Sequence, residues 1–553
     1  MQLSGAEIMC RILAEEGVTT VFGYPGGAIL PFYDALRQSP IQHILTAHEQ
    51  GAAHAADGFA RASGKVGVCI ATSGPGATNL VTGLATAFLD SVPVVAITGQ
   101  VNRALIGHDA FQEVDITGIT MPITKHNFLV KKPENLAQTL RLAFQLAREG
   151  RPGPVLVDVP RDVQTALIDF EEARLAELQP LEPDAERVAA AAAAINKAQR
   201  PVMLVGGGVI NANAEYDAMH LCEKLHIPVV STLMGLGAIS AYRQLFLGMT
   251  GLHGHERANN VVKEADLILA VGSRFNDRVT GERSSYSANK LIIHLDIDPA
   301  EVDKNIDSGI GITGDMVATL NALEKAAQPH DLSSWWDKIN SWLGMDDDFG
   351  NEEAPKFFKA LNPVLKDKDY IITTDVGQHQ MWAAQHLKIQ FARQWLTSGG
   401  LGTMGFGLPA ALGAQMARPQ SRVISISGDG GFKMTGSELF TIASNNVPVI
   451  AIVFNNSGLG MIRQLQTVQF AKRFTSCELP GYVDFVKYAA AFGIEGEHAD
   501  TPEALAQAVA KAWKCRKPYL IEVCINPKNM VLPMVAPGLG INDFVKFAND
   551  EIN

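Results

Sequence analysis

Little in this 553-residue chain points to a membrane, a nucleic acid or an oxidising compartment. Its six cysteines are scattered with no Cys-x-x-Cys spacing, which argues against a zinc ribbon, a disulfide-built scaffold or a dithiol redox centre and fits a cytoplasmic, reducing setting. Cys69, Cys222 and Cys524 sit in apolar runs and read as small core residues. No apolar run exceeds strand length, so no membrane span is expected. The opening Met1-Gln2-Leu3-Ser4-Gly5-Ala6-Glu7 has neither a basic start nor an apolar core, so no secretory leader is expected. Lys and Arg number 46 against 58 Asp and Glu, a formal charge of −12. No basic cluster or stripe stands out, which argues against nucleic acid or anionic lipid as partners. There is no simple internal repeat.

What is present is apolar and glycine-rich. Hydrophobic residues make up 47% of the chain and glycine occurs 50 times, enough for a large core and for several loops that approach a ligand closely. Strand-like runs alternate with helical segments, which predicts an α/β protein of three domains, each with a central, mostly parallel sheet flanked by helices. The expected bounds are 1–169, 186–327 and 354–533, with a charged linker near 170–184, a polar separator at 328–353, and a tail at 534–553 that could serve as a lid.

Two apolar runs carry the strongest signal. Residues 423–427 end in Gly428-Asp429-Gly430-Gly431, and residues 449–454 end in Asn455-Asn456. Adjacent parallel strands ending at one sheet edge bring such termini together where ligands bind. Asp429 and Asn456 are then hard oxygen ligands suited to Mg2+, and Gly430 and Gly431 let backbone N–H groups approach a diphosphate. An ordinary strand–turn–helix would explain Gly-Asp-Gly alone; the Asn-Asn at the end of the next strand favours the functional reading.

This pattern resembles the thiamine diphosphate signature. Near the N-terminus, Ala47-His48-Glu49-Gln50-Gly51 opens an Ala-rich helix. A thiamine enzyme needs one carboxylate on the cofactor's pyrimidine nitrogen to favour loss of the thiazolium proton, and Glu49 is the candidate; alone it would read as a helix-dipole partner. A zinc motif fails because the next histidine, His54, falls off the required face.

Further segments resemble the catalytic subunit of the acetohydroxyacid synthase (acetolactate synthase) family, in matching order along almost the whole chain: Phe22-Gly23-Tyr24-Pro25-Gly26-Gly27-Ala28, Thr72-Ser73-Gly74-Pro75-Gly76, Asp109-Ala110-Phe111-Gln112-Glu113, Thr124-Lys125-His126, Arg151-Pro152-Gly153, Arg274-Phe275-Asn276-Asp277-Arg278, Asp375-Val376-Gly377-Gln378-His379 and Gly402-Thr403-Met404. The resemblance implies thiamine diphosphate, Mg2+ and FAD as cofactors. It implies a reaction in which pyruvate loses CO2 and its two-carbon fragment joins a second 2-oxo acid, giving 2-acetolactate, as in branched-chain amino acid biosynthesis.

The resemblance also assigns roles. Gly26, Gly27, Ala28 and Gln112 line the reaction site, and Phe111 and Lys125 lie in the substrate channel. Gln378, His379, Gly402, Met404, Gly428 and Met461 contact the thiamine cofactor, Met404 forcing its bent shape, and Gly458 lends a backbone oxygen to Mg2+. In the middle domain Gly206, Gly207, Gly208, Arg274 and Asp296, with Arg151 from the first, match a flavin site of Rossmann-like type; the triple glycine alone reads equally as a tight turn. Glu49 and Asp429 come from different subunits in that family, so a homodimer or homotetramer with an interfacial site is implied, and a small regulatory subunit is compatible.

Departures from the family pattern bear on specificity. Leu465 stands where relatives that prefer 2-oxobutanoate carry Trp, which removes a wall from the acceptor pocket and predicts weak discrimination. Asn276 replaces a frequent Asp, and the segment after Gly430 is unusual, which keeps a specialised-pathway carboligase with another acceptor open. The sister activities are a pyruvate oxidase and a 2-oxo acid decarboxylase, the latter disfavoured by the lack of a paired-His motif. Glyoxylate carboligase fits poorly because Glu49 is present, and intact Glu49, Asp429 and Asn456 argue against a degenerate homologue.

Overall fold

The computed structural model describes residues 1–173, 179–345, 352–481, 483–536 and 538–545. Three six-stranded sheets organise it, and every strand pairing inside them is parallel. Their strands are runs such as Val155–Pro160, Leu267–Val271 and Ile450–Asn455, buried along their whole length. Such burial on both faces is what continuous Val/Ile/Leu sequence predicts for a sheet covered by helices.

The first sheet contains, in chain order, Thr20–Gly23, Gln42–Leu45, Gly67–Ala71, Val94–Gln100, His126–Leu129 and Val155–Pro160. The third contains Tyr370–Thr374, Trp395–Thr397, Arg422–Gly428, Ile450–Asn455, Glu495–His498 and Tyr519–Cys524. Numbered within each domain, both sheets run in the spatial order 2-1-3-4-6-5. The middle sheet, from Pro201–Val205 to Ile310–Thr313, runs 3-2-1-4-5-6, the order of dinucleotide-binding folds. Nothing in the sequence exposed the shared order of the outer domains.

The outer domains meet through equivalent helices. Glu49–Ser63 and Gly407–Ala417 each follow the second strand of their sheet, and they pack backbone to backbone. A Cβ on Gly58 would strike the carbonyl of Ala410, and one on Gly413 the carbonyl of Ala55. One apolar core therefore runs from Phe22 and Ala52 of the first domain into Leu408 and Val453 of the third.

Three details differ from expectation. The separator at 328–353 carries a helix, Ser333–Asn340, whose Trp335 and Ile339 pack into the middle core. Cys69 and Cys222 are buried, but Cys524 ends its strand exposed. The described part of the tail is pinned, because Val535 N–H donates to Leu252 O and Ile541 is buried against the middle domain. The remainder of the expected lid, 546–553, lies outside the described residues. Among the described residues no helix is long and apolar enough to cross a membrane.

Candidate active site

In the third sheet the crevice between strands 1 and 3 is the switch point, where ligands bind in open α/β sheets. Strand 3 ends at Gly428, and Asp429 opens the helix Asp429–Thr435. Strand 4 pairs beside it, Gly428 against Phe454, which delivers Asn455 and Asn456 to the same edge. The Gly458 N–H donates to both Asp429 Oδ2 and Asn456 Oδ1, at 3.1 Å each. Two hard oxygens thus converge on one point, as the paired strand ends predicted. Burial pushes the Asp429 carboxyl up to about 6. This donor set fits Mg2+.

The cradle around it is built for close approach. Gln378 and His379 begin the helix Gln378–His386 after strand 1. His379 Nδ1 lies against Gly428, and its Nε2 is buried with no hydrogen-bond partner. Burial lowers this imidazole to about 4, so it is neutral. The Met404 methyl sits over Gly430, consistent with the role that the resemblance gave it. Gln378 Oε1 accepts from Asn456 Nδ2 at 3.4 Å, and its amide donates to Gln464 and Asn529 O, both at 2.9 Å. Gly402 takes a positive φ of 69°, which holds the Met404 loop turned.

A second cluster forms in the first domain around Thr72. Its Oγ1 accepts the Ala28 N–H at 3.3 Å, and its methyl lies where side chains on Gly26 and Gly76 would go. Gly76 adjoins Glu49 Oε1, while Glu49 Oε2 accepts from Asn79 Nδ2 at 2.9 Å. Gln112, at φ 59°, packs on Gly74. Thr72 and Gly76 thus bring Gly26, Ala28 and Glu49 close together, and Gln112 lies on the neighbouring Gly74; Gly27 has open space around it. Phe111, beside Gln112, is 87% exposed.

Among the described residues no hydrogen bond of Glu49 reaches the third domain; its carboxylate is held by Asn79 of its own domain. The two domains are joined just before Glu49. Glu438 of the third domain, 1% exposed, accepts the N–H groups of Ala47 and His48 at 3.2 Å each and the Thr441 hydroxyl at 2.7 Å. This carboxylate grips the two amides that precede Glu49. No local pattern marks it, since its partners lie some 390 positions away. Thr72, Asn79 and Asp375 likewise act through contacts that no local motif marks. Asp375 is buried and accepts N–H from Val376, Gly405 and Gly407, fixing the Met404 loop.

Other expected residues lie apart from these two clusters. Lys125 does not join the Glu49 cluster: its ammonium donates to Leu146 O and Glu149 O, where the helix Leu136–Arg148 leaves carbonyls unpaired. Leu465 packs against Met530, Leu532 and Met534, so the tail closes one side of it. Met461 is half-buried against the third-domain core.

In the middle domain Gly206 and Gly208 lie directly on the Gly272 backbone at the switch point of that sheet, so close packing alone requires both. Gly207 faces Met234. Arg151 crosses from the first domain to Glu301 at 2.6 Å and Asp298 at 3.5 Å. Arg274 lies near it, and burial and that neighbouring charge lower its pKa. Two gathered guanidiniums at a dinucleotide switch point fit a diphosphate-bearing cofactor. Asp296 is buried at the end of its strand, with its carboxyl raised by burial. Asn276 caps the helix Asp277–Thr280 by accepting the Val279 N–H at 3.2 Å, a task that Asn and Asp perform equally well.

Three family models match the chain: thiamine pyrophosphate enzyme N-terminal TPP binding domain over 3–119, central domain over 188–323, and C-terminal TPP binding domain over 375–523. The chain is 47% identical to the "Probable acetolactate synthase large subunit" of Methanocaldococcus jannaschii, covering 98% of this chain and 95% of that one. It is 46% identical to the "Acetolactate synthase isozyme 2 large subunit" of Escherichia coli, covering 98% and 100%. It is 44% identical to the "Acetolactate synthase large subunit" of Corynebacterium glutamicum, covering 98% and 90%.

Proposed function

Because the chain belongs to the acetolactate synthase large-subunit family of thiamine pyrophosphate enzymes, we propose that it condenses pyruvate with a second 2-oxo acid, releasing CO2 and forming 2-acetolactate. The observation that carries this reading is the pairing of an oxygen-ligand set, Asp429 with Asn456, and a separate single-carboxylate site at Glu49, on domains of the same strand order.

The chain's residues divide the work. Asp429, Asn456 and the Gly458 carbonyl hold Mg2+ against a diphosphate, and Gly430 and Gly431 admit it to the helix start. Neutral His379 packs beside the same group, against Gly428. Bound there, thiamine diphosphate supplies the nucleophilic carbon and stores the electron pair left when CO2 departs. Glu49, with Oε2 held by Asn79, presents Oε1 beside Gly76 to a pyrimidine nitrogen and exchanges a proton with it. Gly26, Gly27, Ala28 and Gln112 close over the reacting carbon and exclude water, which separates carboligation from simple decarboxylation.

The two half-sites complete one another across a homodimer, the Glu49 site of one chain meeting the Asp429 site of its partner. That Glu49 is held by Asn79 and, among the described residues, makes no hydrogen bond to the third domain supports this, as do exposed Phe111, Met434 and Phe440, at 87%, 60% and 51%. FAD occupies the middle domain, supported by its 3-2-1-4-5-6 order and the Arg151–Arg274 pair. A small regulatory subunit is in keeping with relatives named large subunits.

Incubating the protein with pyruvate, thiamine diphosphate, Mg2+ and FAD tests the reading: acetolactate is expected. Acetaldehyde, or acetate with oxygen uptake, would move the chain to a sister activity. In competition, pyruvate and 2-oxobutanoate should yield comparable products, and Leu465→Trp should shift the ratio toward 2-oxobutanoate by about 10-fold or more, the scale of one apolar wall in a pocket. A strong 2-oxobutanoate preference in the unmodified protein would refute the Leu465 argument.

A further inference from the structure

The helix Val81–Leu89 of the first domain ends in a turn that touches both other domains. The carbonyl of Leu89, the last helical residue, accepts from the Arg274 guanidinium of the middle domain. Ser91 adopts the left-handed backbone, φ 58°, just past a helix end where glycine is usual. Its hydroxyl accepts the Arg151 Nε–H at 2.8 Å, and its carbonyl accepts the Asn211 amide at 3.2 Å. Asp90, between them, is 7% exposed and reaches the third domain. Its Oδ1 accepts the Gly400 N–H at 2.7 Å; its Oδ2 accepts the Gly399 N–H at 3.1 Å and the Arg61 guanidinium at 2.9 Å. A Cβ on Gly400 would strike Asp90 Oδ1 and the Leu89 carbonyl, so the approach is close. Arg61 also holds the Thr397 carbonyl at 2.8 Å, and Thr86, one turn before Asp90, shares a 2.7 Å hydrogen bond with Thr403. These contacts fix the start of the Met404 loop, and Asp375 fixes its end at Gly405 and Gly407.

Two candidate flavin contacts therefore grip Leu89 and Ser91, while Asp90 grips the loop of a candidate thiamine contact. Glycine at 91 would take the left-handed turn without strain, but it would offer Arg151 no hydroxyl. A residue held in a sparsely populated conformation marks a place that its surroundings over-determine. We propose that segment 89–91 couples the two cofactor sites, with Asp90 as the positioning residue through which a diphosphate held by Arg151 and Arg274 orders the Met404 loop. The inference rests on the carboligase reading and its two organic cofactors. Binding that immobilises both guanidiniums immobilises the turn they hold. The Gly399 and Gly400 amides then meet a fixed acceptor, and ordering their loop around thiamine diphosphate costs less. This gives a flavin site a task in a reaction that moves no net electrons.

The test is titration of thiamine diphosphate with Mg2+ into full-length protein freed of flavin, without and with saturating FAD. Affinity should rise about tenfold or more with FAD, within the usual range of coupling between sites, and thiamine diphosphate should tighten FAD by the same factor. FAD alone should slow amide exchange at Gly399 and Gly400. Ser91→Gly suits the left-handed backbone and removes only the hydroxyl. Asp90→Asn keeps an acceptor for Gly400 and takes the carboxylate from Gly399 and Arg61. Both variants should still bind FAD, which shows that they are folded, and both should lose the rise. Should Asp90→Asn fail to fold, Ser91→Gly decides. Equal affinity with and without FAD in the unmodified protein, or an undiminished rise in Ser91→Gly, would overturn the coupling. Weaker binding in Asp90→Asn with the rise intact would make Asp90 a structural residue only and overturn its assignment. If thiamine diphosphate does not bind at all, the carboligase reading fails and this inference with it; both cofactors bound without coupling strikes this inference alone.

Discussion

The first and third domains are built on one plan and equipped for opposite tasks. Both sheets run 2-1-3-4-6-5, and both place their functional residues in loops that follow corresponding strands. After strand 1 come Gly26–Ala28 in one and Gln378–His379 in the other. After strand 2 come Glu49 and the Met404 loop; after strand 3, the Thr72–Asn79 segment and Asp429. The first domain ends up with one carboxylate held by an amide. The third ends up with two oxygens converging on one point and a glycine cradle. The shared scaffold fixes where these loops sit, and a few loop residues make the two edges chemically different.

Substitution can separate those tasks. Glu49→Gln keeps a hydrogen-bonding side chain beside Asn79 but cannot exchange the proton. Acetolactate formation should fall about 10²–10⁴-fold, the range of a lost general acid–base group, with cofactor affinity changed only a few-fold. Asp429→Ala should abolish Mg2+-dependent cofactor binding itself. Titrating thiamine diphosphate with and without Mg2+, beside turnover, distinguishes the two. If Glu49→Gln loses binding as completely as Asp429→Ala, the division of labour between the domains is wrong.

The brace between the domains should matter next. Glu438→Ala leaves the Ala47 and His48 N–H groups without their acceptor, a loss of about 1–3 kcal/mol for each group that stays buried. It also frees the residue that follows them. Turnover should fall roughly 10–100-fold, since small misplacements of a reacting group cost that much, with Mg2+ affinity unchanged. A lowered thermal midpoint with undiminished turnover would make Glu438 purely structural. Gly413→Ala tests the helix contact behind it: a methyl driven into Ala55 O should cost about 1–3 kcal/mol in stability, read as a lower thermal midpoint. An unchanged midpoint would mean that the two helices are not locked together.

What the sequence revealed and what it hid follow from range. Asp429 and Asn456 were legible because each ends an apolar run, and parallel pairing makes such ends neighbours. Three α/β domains were legible for the same reason, since fully buried strands leave long aliphatic runs. Glu438, Thr72 and Asp375 act through contacts that no local pattern records. The helix Ser333–Asn340 was read as separator because it is short and mostly polar, with its burial concentrated in Trp335 and Ile339. Lys125 matched a motif, yet unpaired helix-end carbonyls 21 and 24 positions away claim its ammonium.

Among the buried carboxylates of the outer domains, Asp158 and Asp375 sharpen the comparison at its finest. Asp375 in the third domain accepts three backbone N–H groups and is raised by burial to about 6. Asp158 in the first accepts only the Thr98 hydroxyl and the Gln100 amide, at 2.7 and 2.9 Å, and is raised to about 7. Fixed N–H dipoles offset more of the burial than neutral side chains do. Both shifts are upward, so each folded carboxyl holds its proton more tightly than the unfolded chain does. The stability that this contributes is fully present below the unfolded value near 4 and is lost as pH rises, through about 6 for Asp375 and about 7 for Asp158. For Asp158 the loss is at most on the order of 4 kcal/mol. Asp158→Asn removes a titrating group while keeping an acceptor for Gln100. The thermal midpoint of the unmodified protein should therefore decline relative to this variant between pH 5 and 7 and run parallel to it above about pH 8. Parallel curves throughout would mean that Asp158 is ionised across that range, and that its two side-chain donors compensate burial as well as the three backbone donors around Asp375.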